Sequence, residues 1–305
     1  MTTIKICGLQ PGDDLSFTSH PSVSVVGLVF VKGSRRYVPP TAAHDMVASV
    51  APDCGVMGIF VNDKPEHLLQ IAREVGLAGL QLHGDESVET CRQLRNEGFI
   101  VWKALSVPRG QGTPVGLESR GSENRDVSRA NHPTENGDDT LSHLSLQLER
   151  YAPYVDGILL DAPPPTQTSV ASQDPVVKSL VGQQPQKRGE PDDFGGTGNS
   201  CGTGGFGVTG SFGGHGNLGE PDDFGVTGGF GVSFDWSRLP QLLNDRAMDT
   251  LPPVWVAGGI RPENVAALFS WWVPYGVDVS SGVEVEGRKS TLRIQQLIEA
   301  VETHG

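Results

Sequence analysis

Basic residues are scarce in this chain: 23 lysines and arginines stand against 36 aspartates and glutamates, a formal charge of −13 over 305 residues. Such a field repels a phosphate backbone and an anionic lipid surface alike, so nucleic-acid and membrane partners are not expected, although a single phosphate held locally is compatible with it. Long apolar runs are missing as well. No window approaches the ~20 apolar residues of a membrane span, and the opening MTTIKICGLQPGDD carries acids where a secretory leader has a basic start and an uninterrupted apolar stretch. Cysteine is sparse, and Cys7, Cys54, Cys91 and Cys201 lie far apart, which suits a reducing cytoplasm better than a disulfide framework. Hydrophobic residues make up only 37% of the chain, whereas 40 glycines and 22 prolines point to segments that cannot pack.

What is present is alternation. Short β-type runs recur at Ile4–Cys7, Val25–Phe30, Val56–Val61, Ala78–Leu82, Phe99–Lys103, Gly157–Leu160, Val254–Ala257 and Val277–Val279. Between most of them lie stretches of helical spacing, among them Pro65–Val75, Val88–Asn96, Pro262–Phe269 and Thr291–Val301. Strands alternating with helices imply parallel strands joined by crossovers, and eight repeats suit a closed (β/α)8 barrel of the TIM type better than an open doubly wound sheet.

Two stretches break the pattern. Residues 108–139 have few large apolar side chains and mixed charge, so burial cannot offset the entropy of ordering them, and disorder is expected. Residues 182–231 are glycine-dominated and repetitive: GEPDDFG occurs at Gly189–Gly195 and Gly219–Gly225, and GGFGV at Gly204–Val208 and Gly228–Val232. These units carry lone Phe and Val side chains and cannot stack into a core, so an expanded loop is favoured over a repeat domain. Without both stretches roughly 220 residues remain, enough for one barrel domain. The insertions follow the fifth and sixth strands, on the face where this fold places its chemistry.

The strand ends carry polar or small residues in short runs: KICGL (Lys5–Leu9), SRRYV (Ser34–Val38), FVND (Phe60–Asp63), LQLHGDES (Leu80–Ser87), WKA (Trp102–Ala104), LLDAP (Leu159–Pro163), SFDW (Ser233–Trp236), VAGGIRPENV (Val256–Val265) and VDVSSGVE (Val277–Glu284). Each is weak alone. Nine in this order, from residue 5 to residue 284, resemble the phosphoribosylanthranilate isomerase family of tryptophan biosynthesis over all of the chain except the insertions.

The resemblance implies a cytoplasmic isomerase that converts N-(5-phosphoribosyl)anthranilate to 1-(2-carboxyphenylamino)-1-deoxyribulose 5-phosphate. This is an Amadori rearrangement needing an acid and a base but no metal or organic cofactor. It assigns Cys7 as general base and Asp161 as general acid, with an inert buried thiol and a turn residue before the prolines as their bland alternatives. Arg36 matches the arginine that pairs with the aromatic carboxylate, a task suited to the guanidinium fork. Gln81, His83 and Asp278 are candidates for substrate binding, with structural hydrogen bonding as the competing account. Gly258 and Gly259, ahead of a helix expected to start at Pro262, and Ser280, Ser281 and Gly282 after the eighth strand are the expected phosphate cradle; tight turns alone would also use such residues. The partner is a small phosphorylated substrate, and a monomer is the default assembly.

Two departures from the family pattern stand out. The family's GGTG before FDW is replaced here by Gly228, Gly229, Phe230 and Gly231, while an intact GGTG lies at Gly195–Gly198. Ser290 follows Lys289 where the family often has an aspartate, a change that bears on a helix start. A different class of reading is a catalytically impaired barrel that serves as an interaction scaffold through its glycine-rich insertion; the retained Cys7, Arg36 and Asp161 argue against it. Indoleglycerol phosphate synthase, a neighbouring phosphosugar barrel, relies on a lysine and glutamate set not found at these strand ends.

Overall fold

Eight strands close on themselves in chain order: β1 (Thr3–Cys7), β2 (Val23–Val29), β3 (Gly55–Phe60), β4 (Gly79–Leu82), β5 (Ile100–Ser106), β6 (Gly157–Asp161), β7 (Val254–Val256) and β8 (Gly276–Val279). Every neighbouring pair is parallel, and β8 pairs back onto β1 with Lys5 opposite Asp278. The computed structural model describes residues 1–107, 138–163, 233–244 and 250–305, all within one compact unit. The stretches expected to be insertions lie outside the described residues, as do both glycine runs compared with GGTG. The exceptions are Asp138 and Asp139, the last two residues of the first stretch, with which a helix, α4 (Asp138–Tyr151), begins. Buried Leu141, Leu144, Leu148 and Tyr151 recur at helical spacing and carry that helix back past the expected edge.

Among the described residues seven α-helices cover the barrel: α1 (Pro40–Val47), α2 (Pro65–Val75), α3 (Val88–Asn96), α4, α5 (Leu239–Asn244), α6 (Val265–Trp271) and α7 (Thr291–His304). The crossover from β1 to β2 carries a single 3-10 turn, Ser16–Ser19, in place of a helix. Local signals explain the boundaries. α2 starts on Pro65, buries Leu68, Leu69, Ile71, Ala72 and Val75, and stops at Gly76 in the left-handed conformation. The Ser87 hydroxyl caps α3 by accepting from Thr90 N–H, and Ser290 caps α7 by accepting from Arg293 N–H. Burying Leu297 on α7 contributes about 1.5–3 kcal/mol, as such side chains do.

One helix start differs from expectation. Pro262 lies in a turn and α6 begins at Val265. Asn264 is the cause: its side chain accepts from Arg261 N–H at 2.7 Å and donates to the Gly259 carbonyl at 2.9 Å, folding the chain back before a helix can form.

Side chains alternate between the helix layer and the barrel interior. On β1, Ile4 and Ile6 join the main core while Lys5 and Cys7 face inward. A separate interior cluster of Met57, Trp102, Ala104, Leu159, Trp255 and Ala257 fills the barrel floor, with the Trp102 and Trp255 rings 4.5 Å apart. Glycine supplies the space these rings need: a Cβ on Gly157 would strike Trp102, and one on Gly276 would strike Trp255.

Candidate active site

Above the tryptophan floor the inward positions turn polar. A single cavity is lined by Cys7, Arg36, Gln81, His83, Asp161, Gly258, Gly259, Asp278, Ser280, Ser281 and Gly282, together with Val29, Ser34, Ile59, Ala257 and Ile260. All eleven residues singled out in the sequence therefore meet in one place. Cys7 ends β1 and Asp161 ends β6, three strands away around the closed barrel.

Cys7 is opposite Gly27 in the β1–β2 register, and a Cβ there would lie 2.9 Å from its sulfur, so this glycine makes room for the thiol. Burial pushes the thiol up, the Lys5 ammonium pulls it down, the Asp278 carboxylate pushes it up, and Lys289 pulls it down; burial prevails. Lys5 itself donates to Asp278 Oδ2 at 2.9 Å from a fully buried position. Burial pulls it down, but Asp278 and Cys7 hold the ammonium above its ordinary value. Asp278 moves upward because burial outweighs the lysine.

On the other side, His83 Nε2 lies 3.2 Å from Asp161 Oδ2, and Gln81 Nε2 lies 3.2 Å from His83 Nδ1. With the Gln81 amide donating, Nδ1 accepts and the histidine proton sits on Nε2, facing Asp161. Asp161 Oδ1 accepts from Ala162 N–H at 2.8 Å. Among the described residues, Gln81 Oε1 and Asp278 Oδ1 are buried with no hydrogen-bond partner, and both residues line this cavity. Unpartnered buried oxygens cost about 1–3 kcal/mol each unless a ligand satisfies them.

The loops after β7 and β8 interlock. Gly258 and Gly259 have φ of 84° and 66°, and among the described residues their amides donate to no protein acceptor. Two such N–H groups in a positive-φ turn form a concavity with the chemistry to take an anion, without the helix terminus expected from the sequence. Gly282 also meets a packing need: a Cβ there would sit inside the Ile260 carbonyl, so its bareness lets the second loop lie against the first. Gly8, at φ 75°, plays a matching part, since a Cβ would collide with the Arg36 stem.

Three contributors were missed by reading the sequence: Lys5, Gly27 and Glu284. Lys5 had a visible signal, because it stands two residues before Cys7 on a strand and must share its face. Glu284 accepts from Arg36 Nε at 2.7 Å and Nη2 at 3.1 Å, so Arg36 is a buried, paired group rather than a solvated surface charge. Arg35, by contrast, is more than half exposed.

A family model described as N-(5'-phosphoribosyl)anthranilate (PRA) isomerase matches residues 4–120 and 222–300. The chain belongs to the PRA isomerase family. The match omits 121–221, where most of the two insertions lie. The N-(5'-phosphoribosyl)anthranilate isomerase of Brevibacillus brevis is 27% identical over 305 residues, covering 100% of this chain and 95% of the relative. That of Thermotoga neapolitana is 40% identical over 120 residues, 39% of this chain and 58% of the relative. A phosphoribosyl anthranilate isomerase crystallised with reduced 1-(o-carboxyphenylamino)-1-deoxyribulose 5-phosphate shares the fold, with a TM-score of 0.56 and 23% identity over 99% of this chain and 100% of that one. As a member of that family, the chain is an isomerase of tryptophan biosynthesis. Among the described residues no cluster of His, Cys, Asp and Glu is disposed to hold a metal ion, and no helix is long and apolar enough to cross a membrane.

Proposed function

We propose that Cys7 and Asp161 are the base and acid of the isomerisation of N-(5-phosphoribosyl)anthranilate in this chain. Asp161 protonates the ribose ring oxygen; the C1′–O bond breaks as the anthranilate nitrogen lone pair forms the C=N bond of an iminium. Cys7, as thiolate, takes the proton from C2′, and the electron pair released neutralises the iminium and leaves an enolamine. Loss of the enol O–H proton and protonation at C1′ then yield the ketose, so no proton or electron is gained overall. The observation that carries this reading is the shared cavity: a thiol on β1 and a carboxyl on β6 face one space, the arrangement acid–base catalysis requires.

The remaining groups divide the substrate between them. The amides of Gly258 and Gly259, with Ser280, Ser281 and Gly282, cradle the phosphate. Arg36 meets the aromatic carboxylate. Asp278 Oδ1 and Gln81 Oε1 take the ribose hydroxyls as donors, which relieves both unpartnered oxygens, and His83 holds the Asp161 carboxyl in place. The eleven residues assigned to the substrate lie in one cavity of the chain, and a monomer is the assembly read for it. Residues 108–139 and 182–231 are read as insertions in a single barrel domain. A reducing cytoplasm is the fitting compartment, since a base made of one free thiol must stay unoxidised.

The test is turnover, followed by loss of anthranilate fluorescence. Cys7→Ala and Asp161→Asn each lower kcat by about 10²–10⁴-fold, while the affinity for the reduced product analogue stays within a few-fold of the parent. Unchanged turnover in both variants would remove the assignment.

A further inference from the structure

The loop after β8 runs through a 3-10 turn, Ser281–Val283, into a small hairpin, β9 (Glu284–Val285) and β10 (Arg288–Lys289). Its two-residue turn, Glu286–Gly287, has positive φ at both positions, 51° and 77°, the geometry whose twist matches paired strands. A left-handed glutamate is disfavoured by about 1 kcal/mol, so the hairpin holds its register at a local cost. That register sets Glu284 opposite Lys289.

The consequence is a chain of buried charges along the cavity rim. Arg36 presents its Nε–Nη2 edge to Glu284. Glu284 Oε1 also accepts from Lys289 Nζ at 3.0 Å, and Lys289 donates onward to the Ser280 carbonyl at 3.0 Å. The side chains of Arg36, Glu284 and Lys289 are 6%, 5% and 2% exposed. Burial resists the Glu284 charge, but Arg36 and Lys289 outweigh it and hold the carboxyl below its usual range. Apolar packing would stabilise a barrel at least as well as such a buried ionic chain, so its placement at the cavity asks for another reason. A guanidinium has two edges that can each take a carboxylate. With one edge held by Glu284, the edge carrying Nη1 is left for a second, incoming carboxylate, and its direction is set before the ligand arrives.

We propose that Glu284 is a positioning residue: it fixes the edge on which Arg36 meets the anthranilate carboxylate and, through Lys289 and Ser280, ties that edge to the loop that cradles the phosphate. The proposal rests on the Arg36 reading above, and its test separates the two. Glu284→Gln and Glu284→Asp are compared with the parent on N-(5-phosphoribosyl)anthranilate and on N-(5-phosphoribosyl)aniline, which lacks the carboxylate, with inorganic phosphate as a competitive inhibitor. Losing one charged fork is expected to cut the preference for the anthranilate substrate about tenfold through KM, with kcat changed less than about threefold. Phosphate inhibition is expected to weaken about threefold as Lys289 loses its anchor. A preference unchanged in the variants, where the parent shows one, overturns the Glu284 role. A parent with no preference sinks the Arg36 reading instead, and the phosphate readout then decides whether Glu284 still organises that loop: unchanged inhibition overturns this as well. Should Glu284→Gln fail to fold, Glu284→Asp keeps the charge but withdraws it by one methylene, and an unchanged preference in that variant is equally fatal.

Discussion

Of the buried lysine–carboxylate pairs among the described residues, Lys103 with Glu86 and Lys5 with Asp278 are built to opposite specifications. Lys103 on β5 donates to the carbonyls of Leu82, Gly84 and Ala104 and reaches Glu86 Oε2 at 3.3 Å. Glu86 in turn accepts from Asn62 N–H and Gly84 N–H, and Tyr151 closes the arrangement by donating to the Glu86 carbonyl. Lys5 and Asp278 share one bond of 2.9 Å and leave Asp278 Oδ1 unpartnered. Each pair also influences a cysteine, Cys91 in the first case and Cys7 in the second. The difference teaches that saturation marks a brace, while an ion pair left partly unsatisfied beside a cavity marks a place where a ligand completes the bonding.

The comparison is most exposed at Lys103. Lys103→Met strands the Glu86 charge and three carbonyls, and is expected to lower unfolding free energy by about 3–5 kcal/mol in urea titrations, with kcat/KM of the folded enzyme within about threefold of the parent. A variant that stays stable yet loses activity would break the division. Lys5→Met should behave in the reverse manner. The stability loss is expected to stay near 1 kcal/mol or below, because Asp278, already pushed up by burial, can take a proton when its partner goes. Activity is expected to fall by about 10²-fold.

The pH profile sharpens that second case. A thiol acts as base only when deprotonated, so kcat/KM rises with pH toward the Cys7 value, which burial holds above the ordinary thiol. Lys5 lowers that value, so its removal shifts the rising limb to higher pH; a shift the other way would contradict the electrostatics described. The smallest effect belongs to Cys91, whose thiol burial pushes up to about 11. Cys91→Ala should leave turnover within twofold and cost about 1 kcal/mol through lost packing, in contrast with Cys7→Ala.

Where local chemistry decides structure, the sequence was a sufficient guide. α2 and α3 run over the residues expected of them because Pro65, Gly76 and Ser87 act on their own neighbourhoods. The eight strands and the eleven cavity residues were also readable, the first from periodicity and the second from the family resemblance. The failures have long-range or side-chain causes. Asn264 delays α6 through two bonds that its residue type permits but does not announce. Lys5 finds its partner 273 positions away, and Arg36 meets Glu284 across 248; only barrel closure brings β8 beside β1. The close packing of Gly282 on the Ile260 carbonyl was not legible either, because the two loops that meet there follow different strands.

The tryptophan floor has a consequence for traffic. Trp102 and Trp255, fitted against Gly157 and Gly276, plug the barrel at its lower end, so the cavity is a cul-de-sac and the substrate must enter where the product leaves. β5 and β6 end at that same rim, with Asp161 closing β6, so their ends border the ligand's route, whereas the strand starts at the plugged end do not.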